Sequence, residues 1–301
     1  MKSILAPLAL FPLALAACCC PNYRSDPGPP PPPLTKADQL VALNARAKQV
    51  QTLKARGSVS ITWTDDKGTH SNSTDAVILL HQRAPVHPYD PGVDVLLQGK
   101  VAGSEVFEMG VNATDHWLAF KVDPNTAYVG PMNVPPSNTS RAPLRADRVL
   151  TVLALSQLGE RDDTRIAMTI NGEAGGPHVN EIHIIRFATG WGAFIERTYV
   201  INRHSGDITE IRSYFPDGRV ESVARLTYKP GTQITMIAPP NNTNAPSSAP
   251  RFPSQIVIDD PADKSHIELT MDSYDVNPTL SPKAFETPDF AKQGLKVLPA
   301  D

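Results

Sequence analysis

The sequence predicts an α+β fold in which helices lie against one side of a large antiparallel sheet. About a dozen short segments alternate apolar with polar residues and end at turn-forming residues. Two longer segments instead carry apolar residues at helical spacing. Antiparallel sheets often bury only one face, which fits the alternation. We therefore expect a single domain over residues 35–301, with the helices covering the apolar face.

The first helix is predicted to begin at Thr35 and to end before Gly57. Thr35, with Asp38 three residues later, is typical of a helix N-terminus. Glycine commonly ends helices, so Gly57 is the expected stop. Apolar residues recur between them at intervals of three or four: Leu40, Leu43, Ala47, Val50 and Leu53.

The segment after Gly57 predicts a first strand and a tight turn. Val59, Ile61 and Trp63 alternate with serine and threonine, and turn-forming residues follow at 65–68. Further strands are predicted at Asp75–His81, Val93–Gln98, Glu105–Val111, His116–Val122, Ala127–Val129, Arg165–Ile170, Glu181–Phe187, Phe194–Asn202, Ile208–Phe215, Arg219–Tyr228, Gln255–Ile258 and His266–Val276.

A second helix is predicted over Leu144–Leu158, which lies between Pro143 and Gly159. Its apolar residues spread around more than one side of the helix, so other parts of the chain must pack against it on more than one side. We expect this helix to act as a lid on the sheet, and the alternative is a helix buried on two sides. Residues Pro230–Pro253, rich in proline and asparagine, predict a mostly solvated insertion, and an extended tail is expected from Pro278.

The N-terminus predicts an export signal of the lipoprotein type. An uncharged stretch, Ile4–Ala17, is too short to span a bilayer. It closes with Leu15–Cys18, which resembles a lipobox, so we expect residues 1–17 to be removed and Cys18 to be lipidated. The alternative is an ordinary cleaved signal followed by chance cysteines. Residues 18–34 then form the lipidated start and a proline-rich, extended linker.

Composition and motifs argue against several classes of function. All three cysteines stand at 18–20, so the domain has no thiol for disulfides, catalysis or metal ligation. A formal net charge of −3 gives no basic surface for nucleic acid. The histidines are not spaced as metal ligands, and no nucleophile elbow, phosphate loop or zinc-protease motif occurs. We expect no enzyme activity, no cofactor and no metal.

Three groups of residues resemble the LolA/LolB superfamily of outer-membrane lipoprotein carriers and receptors. They are Leu43–Ile61; Phe107–Trp117 with Tyr128–Gly130; and Leu226–Tyr228, Arg251–Pro253 and Val276–Phe285. The resemblance implies an antiparallel sheet curled into an incomplete, half β-barrel, with helices over its concave face. It also implies acyl chains of lipids or lipoproteins as the ligand. Arg83–Gly92 departs from the family, because it lacks the exposed apolar loop that LolB uses on the membrane.

The resemblance makes apolar residues of the strands and of the second helix candidates for an acyl-chain cavity. They are Ile61, Trp63, Leu97, Phe107, Met109, Trp117, Leu118, Phe120, Leu150 and Leu153. Plain core packing is the alternative for each of them, because alternation does not show which face of a sheet is concave.

The sequence thus predicts an envelope protein that faces the periplasm, is anchored through Cys18 and binds lipid or acyl chains. The outer membrane is the expected location, and no protein partner is predicted. One alternative is an envelope-sensing or protein-binding module on the same fold. The other is a structural surface lipoprotein whose interior is filled by its own side chains.

Overall fold

The computed structural model describes one α-helix and a large sheet. The described residues are 29, 31–65, 68–87, 90, 92–122, 125–132, 158–159, 163–171, 178–188, 190–237, 250–261 and 264–300. Three of the predicted features lie outside them: the signal peptide, Cys18, and the second helix up to residue 157 with Leu150 and Leu153.

The helix α1 spans Lys36–Lys48, and the described residues after it form fifteen strands. They are β1 (Thr52–Asp65), β2 (Gly68–Gln82), β3 (Val93–Val101), β4 (Ser104–Val111), β5 (Asp115–Phe120), β6 (Thr126–Pro131), β7 (Thr164–Asn171), β8 (Val179–Ala188), β9 (Gly192–Asn202), β10 (Ile208–Tyr214), β11 (Val220–Thr227), β12 (Gln233–Met236), β13 (Gln255–Asp260), β14 (Ser265–Val276) and β15 (Lys296–Pro299). A short 3-10 helix, Pro282–Phe285, precedes β15.

The strands form one sheet in the order β15-β6-β5-β4-β3-β2-β1-β14-β13-β11-β10-β9-β8-β7. Neighbours along this path are antiparallel except β15, which pairs in parallel with β6. The short β12 pairs in parallel with β14. Within the described residues β15 and β7 are unpaired edges, so the sheet does not close into a barrel.

The sheet is strongly curled around its apolar face. Trp63 of β1 and Phe120 of β5 are four strands apart, which is roughly 19 Å along a flat sheet. Their rings nevertheless stack with centroids 5.0 Å apart. The face that carries these two rings is therefore concave, and we call it the inner face. This agrees with the predicted curled, unclosed antiparallel sheet.

The predicted boundary of the first helix is wrong at its C-terminal end. α1 ends at Lys48, and β1 already begins at Thr52, so Gly57 lies within a strand. The β1–β14 register shifts at Gly57, and a Cβ there would lie 1.9 Å from the Thr270 carbonyl oxygen. The glycine permits close approach of two backbones rather than ending a helix.

A distant asparagine explains why the helix ends early. Asn277 Oδ1 accepts hydrogen bonds from the amides of Gln51 at 2.8 Å and Thr52 at 3.4 Å. Its Nδ2 donates to the Gln49 carbonyl oxygen at 3.0 Å. This side chain satisfies backbone groups that would otherwise continue the helix.

Two segments expected to be irregular join the sheet instead. Within the predicted solvated insertion, β12 aligns Ile234 with Tyr274 of β14. The predicted extended tail crosses the outer face of β3–β6, where Phe285, Phe290 and Leu295 are buried, and ends as β15. Both segments pair with strands that are distant in sequence, so the local sequence pattern does not predict that they form strands.

α1 packs at the end of the sheet where β8 begins. Lys36 Nζ donates to the Ile166 carbonyl oxygen of β7 at 3.0 Å, and Asn180 Nδ2 of β8 donates to Gln39 Oε1 at 3.0 Å. Leu43 is buried and belongs to the apolar cluster of the sheet. One described helix therefore contacts the sheet.

The end of the predicted second helix is tied to α1. The Asn44 side chain donates to the Leu158 carbonyl oxygen and accepts from the Leu158 amide, each at 2.7 Å. Leu158 packs against the inner cluster. Helices over the concave face therefore stay a prediction, because residues 133–157 lie outside the described residues and Leu158 is not in a helix.

Candidate functional site

The inner face is one continuous apolar cluster that draws residues from most strands. Seven of the predicted cavity residues belong to it: Ile61, Trp63, Leu97, Phe107, Met109, Leu118 and Phe120. Their exposed fractions are only 0–7%. The half of the inner face formed by β1–β5 is therefore filled by its own side chains.

Trp117 does not lie with the other predicted cavity residues. Successive strand residues point to opposite faces, and its neighbour Leu118 faces inward. Trp117 belongs to a separate cluster on the outer face, under Phe285 and Phe290 of the C-terminal segment. Its indole Nε1 donates to Glu108 Oε1 at 2.9 Å in a buried position. The grouping of Trp117 with the inner residues was wrong for this reason.

Apolar surface remains accessible on the other half of the inner face, along β7 and β8. Ile166, Met168 and Ile170 share one side of β7, and Ile184 of β8 faces the same way. Met168 and Ile184 are half-buried against the inner cluster, and Ile170 is 50% exposed. We call Met168, Ile170 and Ile184 the β7–β8 strip.

The sequence analysis did not select the strip. The alternation of Ile166, Met168 and Ile170 was visible within the predicted strand Arg165–Ile170, but it carries no sign of accessibility. These residues differ from those of the β1–β5 half in accessibility, and that difference arises only when the curled sheet is packed.

The buried carboxylate of Asp207 forms ion pairs with two arginines from different segments. Asp207 follows β9 and is 2% exposed. It forms ion pairs with Arg46 of α1 at 3.3 Å and with Arg251 at 2.8 Å. Burial, followed by the negative charge of Asp207, raises the pKa of the nearby Tyr228 hydroxyl above its usual value. The cluster ties α1, the β9–β10 turn and the segment before β13 together.

The loop between β2 and β3 is held by charges. Arg83 Nε donates to Asp94 Oδ1 at 2.6 Å, and Arg83 Nη1 pairs with Asp90. Burial would raise the pKa of Asp90, but Arg83 and the amides of Gly92 and Val86 lower it overall below its usual value. The described residues of this loop are therefore organised by ion pairs.

An exposed apolar patch lies at the β8–β9 hairpin. Phe187, Trp191 and Ile195 are 49%, 55% and 42% exposed. Ile195 pairs with Ile185 on the outer face, so this patch is separate from the inner cluster. The sequence analysis did not single it out, because each residue looks like ordinary strand or turn.

The described residues contain no group of three or more His, Cys, Asp or Glu placed to hold a metal ion. None of their helices has the length and apolarity needed to cross a membrane.

No protein-family profile and no curated protein sequence matches the chain, but solved structures do. A DUF1329 family protein from Desulfovibrio piger superposes with a TM-score of 0.50 at 11% identity, over 83% of this chain and 95% of its own. A domain described as an outer membrane lipoprotein-sorting protein, from Vibrio parahaemolyticus, gives 0.49 at 11% identity, over 85% and 96%.

A LolA superfamily protein from Nitrosomonas europaea gives a TM-score of 0.44 at 10% identity, over 82% of this chain and 97% of its own. Identities this low concern the fold alone. The superposition on the DUF1329 family protein therefore shows that the two chains share a fold.

Proposed function

We propose that this chain is an envelope lipoprotein, anchored through Cys18, that binds acyl chains of lipids or lipoproteins on the inner face of its half-barrel. The observation that carries the proposal is the accessible β7–β8 strip beside a buried apolar cluster. Burying a methylene against such a surface contributes about 0.8 kcal/mol, so a chain of several methylenes gains several kcal/mol.

The structural-lipoprotein alternative predicts an inner face filled throughout by its own side chains. The β1–β5 half meets that description, since its residues are buried. The β7–β8 strip does not, because Ile170 is half exposed and Met168 and Ile184 are only partly covered. We therefore place the bound acyl chain along the strip rather than among the residues selected from sequence.

The test compares two isoleucines on neighbouring strands that face opposite sides of the sheet. Ile184→Asn puts an amide into the strip, and Ile195→Asn makes the same change on the outer face. Both variants and the wild type are titrated with a fluorescent fatty acid. We expect Ile184→Asn to weaken binding about tenfold, the equivalent of one or two lost methylene contacts.

Ile195→Asn should leave the affinity unchanged. Equal losses in the two variants, with unchanged melting temperatures, would contradict binding along the strip. A wild-type chain that binds no fatty acid would contradict the proposed function itself.

A further inference from the structure

A cleft lies between α1, the start of β8 and the proline segment before α1, and Leu43 of the inner cluster forms part of its wall. Its volume is about 260 Å³, enough for a small polar molecule. Pro31, Leu34 and Ala42 form apolar parts of its wall. The described residues that line it include two arginines, Arg46 and Arg203, and no acid.

Two buried polar atoms of the lining residues have no hydrogen-bond partner. One is Asn180 Oδ1, an acceptor on a residue that is only 2% exposed. The other is Arg203 Nε, a donor. A buried polar atom without a partner is destabilising, so a ligand that formed hydrogen bonds with both atoms would remove that destabilisation.

The geometry of Arg203 indicates which group it would bind. Its Nη2 donates to the Pro31 carbonyl oxygen at 2.6 Å, whereas Nε on the same edge of the guanidinium donates to nothing. No carboxylate forms an ion pair with Arg203 in the described part of the chain. The unused Nε–H is a charged donor, and phosphate and carboxylate oxygens accept strongly from a guanidinium N–H.

The geometry of Asn180 indicates the second group. Its Nδ2 is already used by Gln39, so the free Oδ1 needs a donor such as a hydroxyl. Arg46 is paired with Asp207, so among the described residues Arg203 is the arginine of this cleft that has no ion pair.

We infer that this cleft binds a phosphate ester that carries a hydroxyl group, with the phosphate on Arg203 and the hydroxyl on Asn180. A phosphoglycerol group has this chemistry, either as a soluble ester or as the headgroup of a lipid. The inference does not rest on acyl-chain binding, because the cleft lies outside the β7–β8 strip.

The test is calorimetric titration of the purified full chain with sn-glycerol 3-phosphate, inorganic phosphate and glycerol. We expect sn-glycerol 3-phosphate to bind most tightly, because it alone can satisfy both atoms. Arg203→Gln should weaken it at least about tenfold, the usual effect of losing a charged hydrogen bond. Asn180→Leu should weaken it about fivefold while leaving inorganic phosphate unchanged.

Two further variants control for folding and for general charge. Ala42→Phe fills the cleft without removing a polar group, and it should abolish binding while the melting temperature is kept. Arg219→Gln removes a guanidinium that is 66% exposed at the far end of β10, and binding should be unchanged.

Micelles of a lysophosphatidylglycerol distinguish the two sources of the ligand. Competition with sn-glycerol 3-phosphate identifies a lipid headgroup, and binding of the soluble ester without competition identifies a free phosphate ester. Both results support the site. No binding of sn-glycerol 3-phosphate, or binding that survives both Arg203→Gln and Ala42→Phe, would overturn the inference.

Discussion

At Gly57 the backbones of β1 and β14 come too close for any side chain. The nearest neighbours of a Cβ there are backbone atoms of Thr270 and Met271, which cannot rotate away. A single glycine thus sets the register shift between the two strands at the centre of the sheet. The inner cluster on both sides depends on that register, because a one-residue slip would turn its side chains to the outer face.

We predict that Gly57→Ala lowers the free energy of unfolding by about 1–3 kcal/mol, the usual cost of overpacking. Chemical denaturation measures it. Gly159→Ala is the matched control, because a Cβ at Gly159 meets nothing within 4 Å. Equal stability of the two variants would contradict the close approach.

Asp90 gives the stability a pH dependence. Its oxygens accept from the Gly92 amide at 2.9 Å and the Val86 amide at 2.7 Å, and Arg83 pairs with it. Its pKa is lower in the folded chain than the unfolded value of 3.8. The stability it contributes is therefore full above that value and is lost as the pH falls through the folded-state pKa.

We expect the free energy of unfolding of the wild type to fall as the pH is lowered through the unfolded value of 3.8 and then through the lower folded-state pKa. Asp90→Asn should reduce the stability near neutral pH and flatten this slope. Urea titrations at several pH values check both effects. An unchanged slope in Asp90→Asn would show that other carboxylates dominate.

Among the elements, the C-terminal segment covers the outer face of β3–β6. Phe290 is 2% exposed and packs in the cluster that contains Trp117. Asn112 Nδ2 donates to the Phe285 carbonyl oxygen at 3.0 Å, and Thr287 Oγ1 donates to Asp115 Oδ2 at 2.8 Å. The segment thus gives the half-barrel a second, smaller core outside its concavity.

Phe290→Ala should cost about 3–5 kcal/mol of stability, as expected for a buried aromatic residue. It should also shift the emission of Trp117 to longer wavelength, measured with Trp63 and Trp191 replaced by Phe. Val297→Ala is the control, because Val297 is 47% exposed. If the two variants behave alike, the segment does not cover Trp117.

The local pattern was enough to predict the long antiparallel strands. The predicted Val93–Gln98 and His266–Val276 correspond to β3 (Val93–Val101) and β14 (Ser265–Val276). β12 and β15 were missed because they are only four residues long and are defined by parallel partners far away in sequence. Trp117 was misplaced because period-two alternation shows that two faces exist without showing which is concave.

At the scale of the whole molecule, an open sheet curls until Trp63 meets Phe120, which packs one half of its inner face and leaves the β7–β8 strip accessible. The curl depends on contacts across four strands, so it could not be predicted from periodicity and entered only through the family resemblance. The accessibility of the β7–β8 strip could not be predicted from periodicity either. In sequence, its residues resemble those of any other half-buried strand.

Organic extraction of the purified wild-type chain, followed by mass spectrometry, tests the central claim most directly. Extraction releases only non-covalently held lipid, so the acyl groups proposed on Cys18 would stay with the protein and would not interfere. We expect an acyl-chain lipid in the extract of the wild type, in an amount comparable to the protein, and much less in the extract of Ile184→Asn. An extract without lipid, or equal amounts from both chains, would contradict acyl-chain binding on the inner face.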